Sequence, residues 1–364
     1  MLGNKLHPHT TASLADLVRL MNSYYSNLIE GHNIQPADIE RALADQLDDD
    51  GERRNLQLEA AAHVRVQATL DQMAQKGELP EPASDEFILW LHKQFYAEVP
   101  DEFLKVQGRD KILLMVPGEY RSQPAHDVTV GRHNPPSSEV VSSFMSHFVS
   151  QYKFEGMGQA ARILAIPTSH HRFNYIHPFL DGNGRVSRLM SHAMAAHANI
   201  GAQGLWSVSR GLARGLDSRT EYKSMMDRAD TPRQGDLDGR GNLSLQALTD
   251  FTEWFLKICI DQIDFMSGLF EIEKLSERFR RLVDQTDSLN LEAKYLLEEA
   301  LLRDEFERGA AARITGLSER SARRVLGELV RAGLLASVTP KGPVSLRFPV
   351  SALEVLFPRL YPSA

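Results

Sequence analysis

His177-Pro178-Phe179-Leu180-Asp181-Gly182-Asn183-Gly184-Arg185-Val186-Ser187-Arg188 reads as a short loop running into the first turn of a helix. Two glycines around an asparagine permit positive φ, so successive N–H groups can converge on an anion. The helix that follows, with Val186, Leu189, Met190, Ala193 and Met194 at helical spacing, brings free N–H groups and its positive dipole end to the same place. Arg185 and Arg188, three positions apart, add two guanidinium forks for further phosphate oxygens. Asp181 offers the carboxylate that Mg²⁺ uses together with phosphate oxygens and water. His177 is the group in the loop able to accept a proton near neutral pH. The stretch therefore has the parts of a metal-nucleotide site with a base beside it.

The order His, x, Phe, x, Asp, Gly, Asn, Gly, Arg, x, x, Arg resembles the signature of the Fic family, matched at every fixed position from His177 to Arg188. Two further segments are similar to Fic features. Val130-Gly131-Arg132-His133-Asn134-Pro135-Pro136 resembles the hairpin flap that aligns a target segment by strand addition, with Val128, Thr129, Val130 and Gly131 implied as target-positioning residues. Ser26-Asn27-Leu28-Ile29-Glu30-Gly31 is similar to the family's inhibitory motif. Together the resemblance covers about residues 20–260.

The resemblance implies a protein adenylyltransferase that moves AMP from ATP to a Ser, Thr or Tyr hydroxyl of a target protein. On that reading His177 deprotonates the hydroxyl, and Asp181 holds Mg²⁺ between the α- and β-phosphates. Gly182, Asn183 and Gly184 cradle the phosphates, with Arg185 on the α/β region and Arg188 on the γ-phosphate. Tyr222 falls where the family has an aromatic lining the adenine pocket, although a single tyrosine stands where two are common. Glu30, supported by Ser26 one turn earlier, is implied to occupy Arg188 and hold the enzyme self-inhibited. The resemblance also allows the same site to remove AMP, and allows self-modification and a homodimer.

Working outward, a length of 364 residues predicts two or three domains. Apolar residues at 42% and charged residues at 24% are ordinary globular usage, which selects neither enzyme nor binding module. A net charge of −7 excludes a chain whose whole surface is built for nucleic acid. The lone Cys259 can form no internal disulfide. Leu6-His7-Pro8-His9 gives no apolar signal region, and no run reaches the roughly 18 apolar residues of a span, so the expectation is a cytoplasmic protein without membrane contact.

Helical spacing from Thr11 to Gly31 predicts an amphipathic helix ending at Glu30, and residues 36–116 continue as helical patterns. Between Val116 and Pro136, Gly and Pro punctuate short alternating segments that predict a β-hairpin. His170 and His171 are adjacent on a helix, point to different sides and share no coordination sphere with His177. After Phe270, helix, helix, helix and two short strands in that order resemble a winged helix. Arg320, Arg323, Arg324 and Arg331 on its third helix, with Lys341 and Arg347 on the wing, would suit DNA phosphates, diluted by Glu319 and Glu328. A DNA-binding regulator in which the loop is secondary is therefore the rival reading.

The expected fold class is all-α: a Fic helical bundle with a small β-hairpin flap, plus a C-terminal winged-helix domain. The expected divisions are 1–115 with the inhibitory helix, 116–270 as the Fic core, and 271–364 as the winged helix.

Overall fold

The structure is a computed structural model that describes residues 6–108, 112–239 and 241–361. It divides into two compact units, Asn22–Gln262 and the pair of segments Met1–Met21 with Ile263–Ala364. Helix α1, Pro8–Glu30, begins in the second of these and ends in the first.

In the unit 22–262, the end of α1 is followed by α2 (Pro36–Leu43), α3 (Gly51–Lys76) and α4 (Asp85–Phe95). Two of these helices start where sequence supplies a cap. Asp50 accepts from the Arg53 N–H ahead of α3, and Ser84 accepts from the Phe87 N–H ahead of α4. The strands β1 (Lys105–Gln107) and β2 (Ile112–Leu114) then form an antiparallel pair in the register Lys105↔Leu114. The breaks near residues 48–52 and 77–82 fall where the sequence pattern is interrupted, and the strand pair corrects the expectation that helical patterns run on to residue 116. Ile112 and Leu114 are exposed and Leu113 is buried, the alternation of a half-covered strand.

The expected hairpin further on is smaller than its sequence pattern predicts. Between 116 and 136 the backbone pairing consists of the single bridge Val130↔His133, which closes a turn at Gly131 with φ +60. Helices α5 (Val141–Tyr152), α6 (Gln159–Ile176), α7 (Asn183–His197), α8 (Val208–Arg214), α9 (Glu221–Ala229) and α10 (Leu245–Leu269) complete the bundle. Phe148, Phe173, Val186, Leu189 and Met190 are fully buried between α5, α6 and α7. That core fixes the α6 and α7 ends that carry the quoted loop.

In the other unit, the start of α1 is capped from far along the chain. The carboxylate of Asp304 supplies the cap, accepting from the N–H groups of His9 at 2.9 Å and Thr10 at 3.1 Å. After α11 (Ile272–Asp284) the order is α12 (Ala293–Arg303), β3 (Glu305–Phe306), α13 (Ala311–Thr315), α14 (Glu319–Arg331), β4 (Leu335–Ala336), β5 (Val344–Leu346) and α15 (Leu353–Leu356). The three strands form one antiparallel sheet in the order β3-β5-β4. Sequence reading found two of these strands and missed β3, which is two residues long.

Candidate active site

The loop 177–182 joins two helices end to end, and each junction is unusual. Helix α6 stops at His177, a non-glycine residue in the left-handed region with φ +49. Helix α7 starts at Gly182, also left-handed with φ +80. A Cβ at Gly182 would lie 2.8 Å from the Tyr96 hydroxyl, so the position needs glycine for space as well as for conformation.

Between these ends Phe179 is completely buried and stacks on His92 with ring centroids 3.8 Å apart. Burying such a ring stabilises the loop by about 1.5–3 kcal/mol. The Asn183 side chain braces the same turn from inside. Its Oδ1 accepts from the Phe179 N–H and its Nδ2 donates to the Phe179 carbonyl, both at 2.9 Å. The loop is thus braced by its own side chains.

His177 is further fixed by a residue that sequence reading missed. Arg121, fully buried, donates through Nε to the His177 carbonyl at 2.7 Å and through Nη2 to the Ile176 carbonyl at 3.0 Å. Its Nη1 donates to Ser138 Oγ at 2.8 Å. Arg121 therefore ties the segment ahead of Ser138 to the end of α6 and the loop after it. Burial, with the charges of Arg121 and His133, lowers the His177 pKa to about 4, so the imidazole is neutral and able to take a proton at physiological pH.

Arg185 and Arg188 are both engaged by carboxylates. Arg188 is buried, donates through Nε to Ser26 Oγ at 2.9 Å and through Nη2 to Glu30 Oε1 at 2.6 Å and the Ser26 carbonyl at 3.2 Å. Burial alone would raise the Glu30 pKa, but Arg188 and Arg185 outweigh it and hold the carboxyl ionised. Arg185 donates to Asp181 Oδ2 at 2.9 Å, lies over the Phe95 ring at 5.0 Å, and is ion-paired with Glu59. Glu59, buried on α3, also faces His32 Nδ1 at 2.8 Å. It is a second residue that sequence reading missed, since nothing local marks a glutamate on a long charged helix.

Asp181 accepts from the Tyr96 hydroxyl at 2.8 Å and keeps 47% of its side-chain surface open. Desolvation outweighs these hydrogen bonds and raises its pKa above the usual carboxylate value. Gly184 faces the Glu30 carboxylate so closely that any Cβ there would collide with it, and would also lie 3.0 Å from Arg188. The space over the α7 N-terminus is therefore shaped for an oxyanion, with a carboxylate now beside it. That donor set fits a polyphosphate, and the open face of Asp181 fits a hard cation bound to one.

Tyr222 is brought to the floor of this site and not to its mouth. It is buried, its hydroxyl is hydrogen-bonded to His170 Nε2 at 2.8 Å, and its ring is stacked with Trp254. Of the flap residues, Thr129, Val130 and Gly131 are exposed. His170 and His171 have separate partners, Ser191 with Tyr222 and Asp230, and no group of His, Cys, Asp and Glu with metal-binding spacing exists among the described residues.

A model of the Fic/DOC family matches residues 82–195, the segment that holds this loop and the core beneath it. The chain carries a Fic domain. Within it, the protein is 35% identical over 81 residues to "Protein adenylyltransferase Fic" of Aedes aegypti, and 32% identical over the same length to that of Drosophila erecta. The match covers 22% of this chain and spans only 16% of the length of those curated relatives. Among solved structures, a Fic family protein from Desulfovibrio desulfuricans superposes with TM-score 0.52 at 17% identity, covering 94% of this chain and 89% of that one. A Fic domain containing signaling protein from Bacteroides thetaiotaomicron superposes with TM-score 0.53 at 21% identity, covering 72% of this chain and 92% of that one. These likenesses show a mostly helical Fic fold. No described helix is long and apolar enough to cross a membrane.

Proposed function

We propose that the Fic domain is a self-inhibited protein adenylyltransferase, using MgATP and a polypeptide hydroxyl. The observation that carries this reading is the Glu30 carboxylate against Gly184 and Arg188, because a rigid helix N-terminus that already holds one anion is built to exchange it for another. Arg188 would then take the γ-phosphate, Arg185 the α/β region, and the Gly182, Asn183 and Gly184 backbone the remaining oxygens. Asp181 would hold Mg²⁺, which neutralises charge on the polyphosphate when bound. Tyr222 would support the nucleotide end from beneath.

His177 would accept the proton of the target hydroxyl as its oxygen bonds to the α-phosphorus and the bond to pyrophosphate breaks. The fixed loop supplies positioning and charge stabilisation, which this chemistry chiefly needs. The relatives named as adenylyltransferases support AMP as the transferred group. Removal of AMP by the same site would use the same residues. Incubating the purified chain with α-labelled MgATP and reading AMP on protein by mass spectrometry tests the reading; labelled nucleotide that is never found on protein overturns it.

A second reading concerns residues 271–364. The order helix, strand, helix, helix, strand, strand, with β3 paired to the last strand, supports a winged helix. Arg320, Arg323, Arg324 and Arg331 are exposed on or beside α14, and Arg324 lies 3.7 Å from Glu328. DNA binding by this face would be strongly salt-dependent, and a mobility shift insensitive to salt and to Arg320→Ala would discard it.

A further inference from the structure

The flap turn is held at its base by Arg121 and near its tip by a different device. His133 closes the turn with Val130, its N–H donating to the Val130 carbonyl at 2.9 Å while the Val130 N–H donates to the His133 carbonyl at 3.0 Å. The His133 side chain then reaches away from the turn. Its Nε2 lies 2.8 Å from the carbonyl of Tyr175, two residues before His177, and its ring packs on the Tyr175 ring at 5.0 Å. Its Nδ1 lies 3.0 Å from Asp230 Oδ2, and the other oxygen of Asp230 accepts from His171 Nε2 at 2.8 Å.

Both ring nitrogens of His133 thus face acceptors that have no proton to give. A neutral imidazole carries one N–H and can satisfy one of them, whereas an imidazolium carries two and satisfies both. The residue is mostly buried, with 13% of its side chain exposed, so an unmet acceptor there is costly. We propose that His133, as an imidazolium bonded to Asp230 and to the Tyr175 carbonyl, is a positioning residue that locks the flap turn to the end of α6 and thereby sets where an acceptor polypeptide lies relative to His177. The proposal rests on the reading of residues 128–131 as the rail on which that polypeptide is aligned.

The groups facing His133 agree with a cation. From α9 and its end come Asp227 and Asp230; from α6 come His171 and, 5.5 Å over the Tyr175 ring, Arg172; from the loop after α6 comes His177. Burial opposes the charge, but Asp230, the Tyr175 carbonyl and Asp227 outweigh it and raise the His133 pKa above the ordinary histidine value. Asp230 itself is lowered to about 2, its burial outweighed by the two imidazoles. The sign follows: with the folded pKa raised, the clamp is complete below about 6.5 and is lost as pH rises through the higher pKa of His133. Arg121 is a permanent tie, and His133 is a titratable one. The His133 charge also helps keep His177 neutral, so losing it loosens the rail and alters the base together.

Arg132, exposed on the turn, gives a readout that needs no target. Full-length wild type, His133→Gln and Asp230→Asn are treated with trypsin near neutral pH and at about pH 9, and cleavage after Arg132 is divided by cleavage of a free peptide spanning 128–136. Wild type is expected to be protected near neutral pH and cut about tenfold faster at the higher pH; both variants are cut fast at both. In a Glu30→Gly background, self-labelling from α-labelled MgATP should fall about tenfold near neutral pH with either variant and lose its alkaline decline, while MgATP affinity is retained.

Cleavage that ignores both pH and the substitutions overturns the clamp. Cleavage that responds as stated, with labelling unchanged in rate and pH profile, leaves the clamp standing and overturns the rail. No labelling in the Glu30→Gly parent overturns adenylyl transfer and leaves the clamp to the cleavage result alone. Thermal unfolding of each variant guards against loss of fold, and Asp230→Asn decides the matter if His133→Gln fails it.

Discussion

Glu30 Oε1 lies 2.6 Å from Arg188 Nη2 across 158 positions of sequence, and Ser26 supplies two further acceptors for the same guanidinium. Glu30 is the last residue of α1, where the helix dipole disfavours an anion by about 0.3–1 kcal/mol, so the contact compensates a placement that sequence alone makes unfavourable.

Glu30→Gly should therefore raise AMP transfer about tenfold or more at saturating MgATP, equivalent to about 1.4 kcal/mol or more from freeing a charge-assisted contact. Labelled AMP on the chain and on candidate targets measures this. Equal rates in the variant and the wild type would make the end of α1 a scaffold.

His177→Ala should abolish transfer and retain nucleotide binding, because on the proposed mechanism the imidazole acts on the incoming hydroxyl and not on the phosphates. In the wild type the acid limb should follow a group with pKa about 4, since transfer needs the neutral ring and loses it as pH falls through that value. A rate profile alone, with calorimetric ATP binding as control, checks both halves.

Asp181→Ala should lose metal-dependent transfer, and EDTA should silence the wild type. The half-open carboxylate is the reason; Glu59, another acid near Arg185, is buried and committed to it. Undiminished transfer in EDTA would remove the metal from the mechanism.

Acid should unfold the bundle earlier than carboxylate titration explains. His63 is buried with neither ring nitrogen hydrogen-bonded, and burial with the nearby Arg188 lowers its pKa to about 3; His170 is lowered to about 3 by the same two causes. Unfolding lets each take a proton, so each costs about 1.4 kcal/mol of stability per pH unit as pH falls from about 6.5 to about 3. His63→Met removes one such slope and should be neutral or stabilising by about 1 kcal/mol at neutral pH. Denaturant midpoints across pH provide the check; a variant whose midpoint falls as steeply as that of the wild type would contradict it.

The catalytic loop was legible because its chemistry is local: glycines, a buried phenylalanine and two arginines act within a dozen residues of one another. The pairing of Glu30 with Arg188 was expected through resemblance alone, and the two side chains lie 2.6 Å apart; the turn closed by Val130 and His133 was expected as a longer hairpin from its Gly and Pro pattern. Arg121, Glu59 and Asp230 were not legible, since each acts on a residue far along the chain and sits in a segment of ordinary pattern. The strands β1 and β3, three and two residues long, are too short to establish a period of two. Tyr222, expected as an aromatic lining the adenine pocket, is buried with its hydroxyl bonded to His170 Nε2.

The contact at Arg188 joins two parts of one covalent chain, and that alters how it competes. A carboxylate on a helix end presents itself at an effective concentration fixed by the tether, independent of how much protein is in solution. Diluting the protein leaves its occupancy unchanged, whereas raising a polyphosphate that needs the same guanidinium lowers it. On the proposed reading the resting state of this site is already a bound state, and any event that frees Glu30 acts as the departure of a ligand that never leaves the molecule.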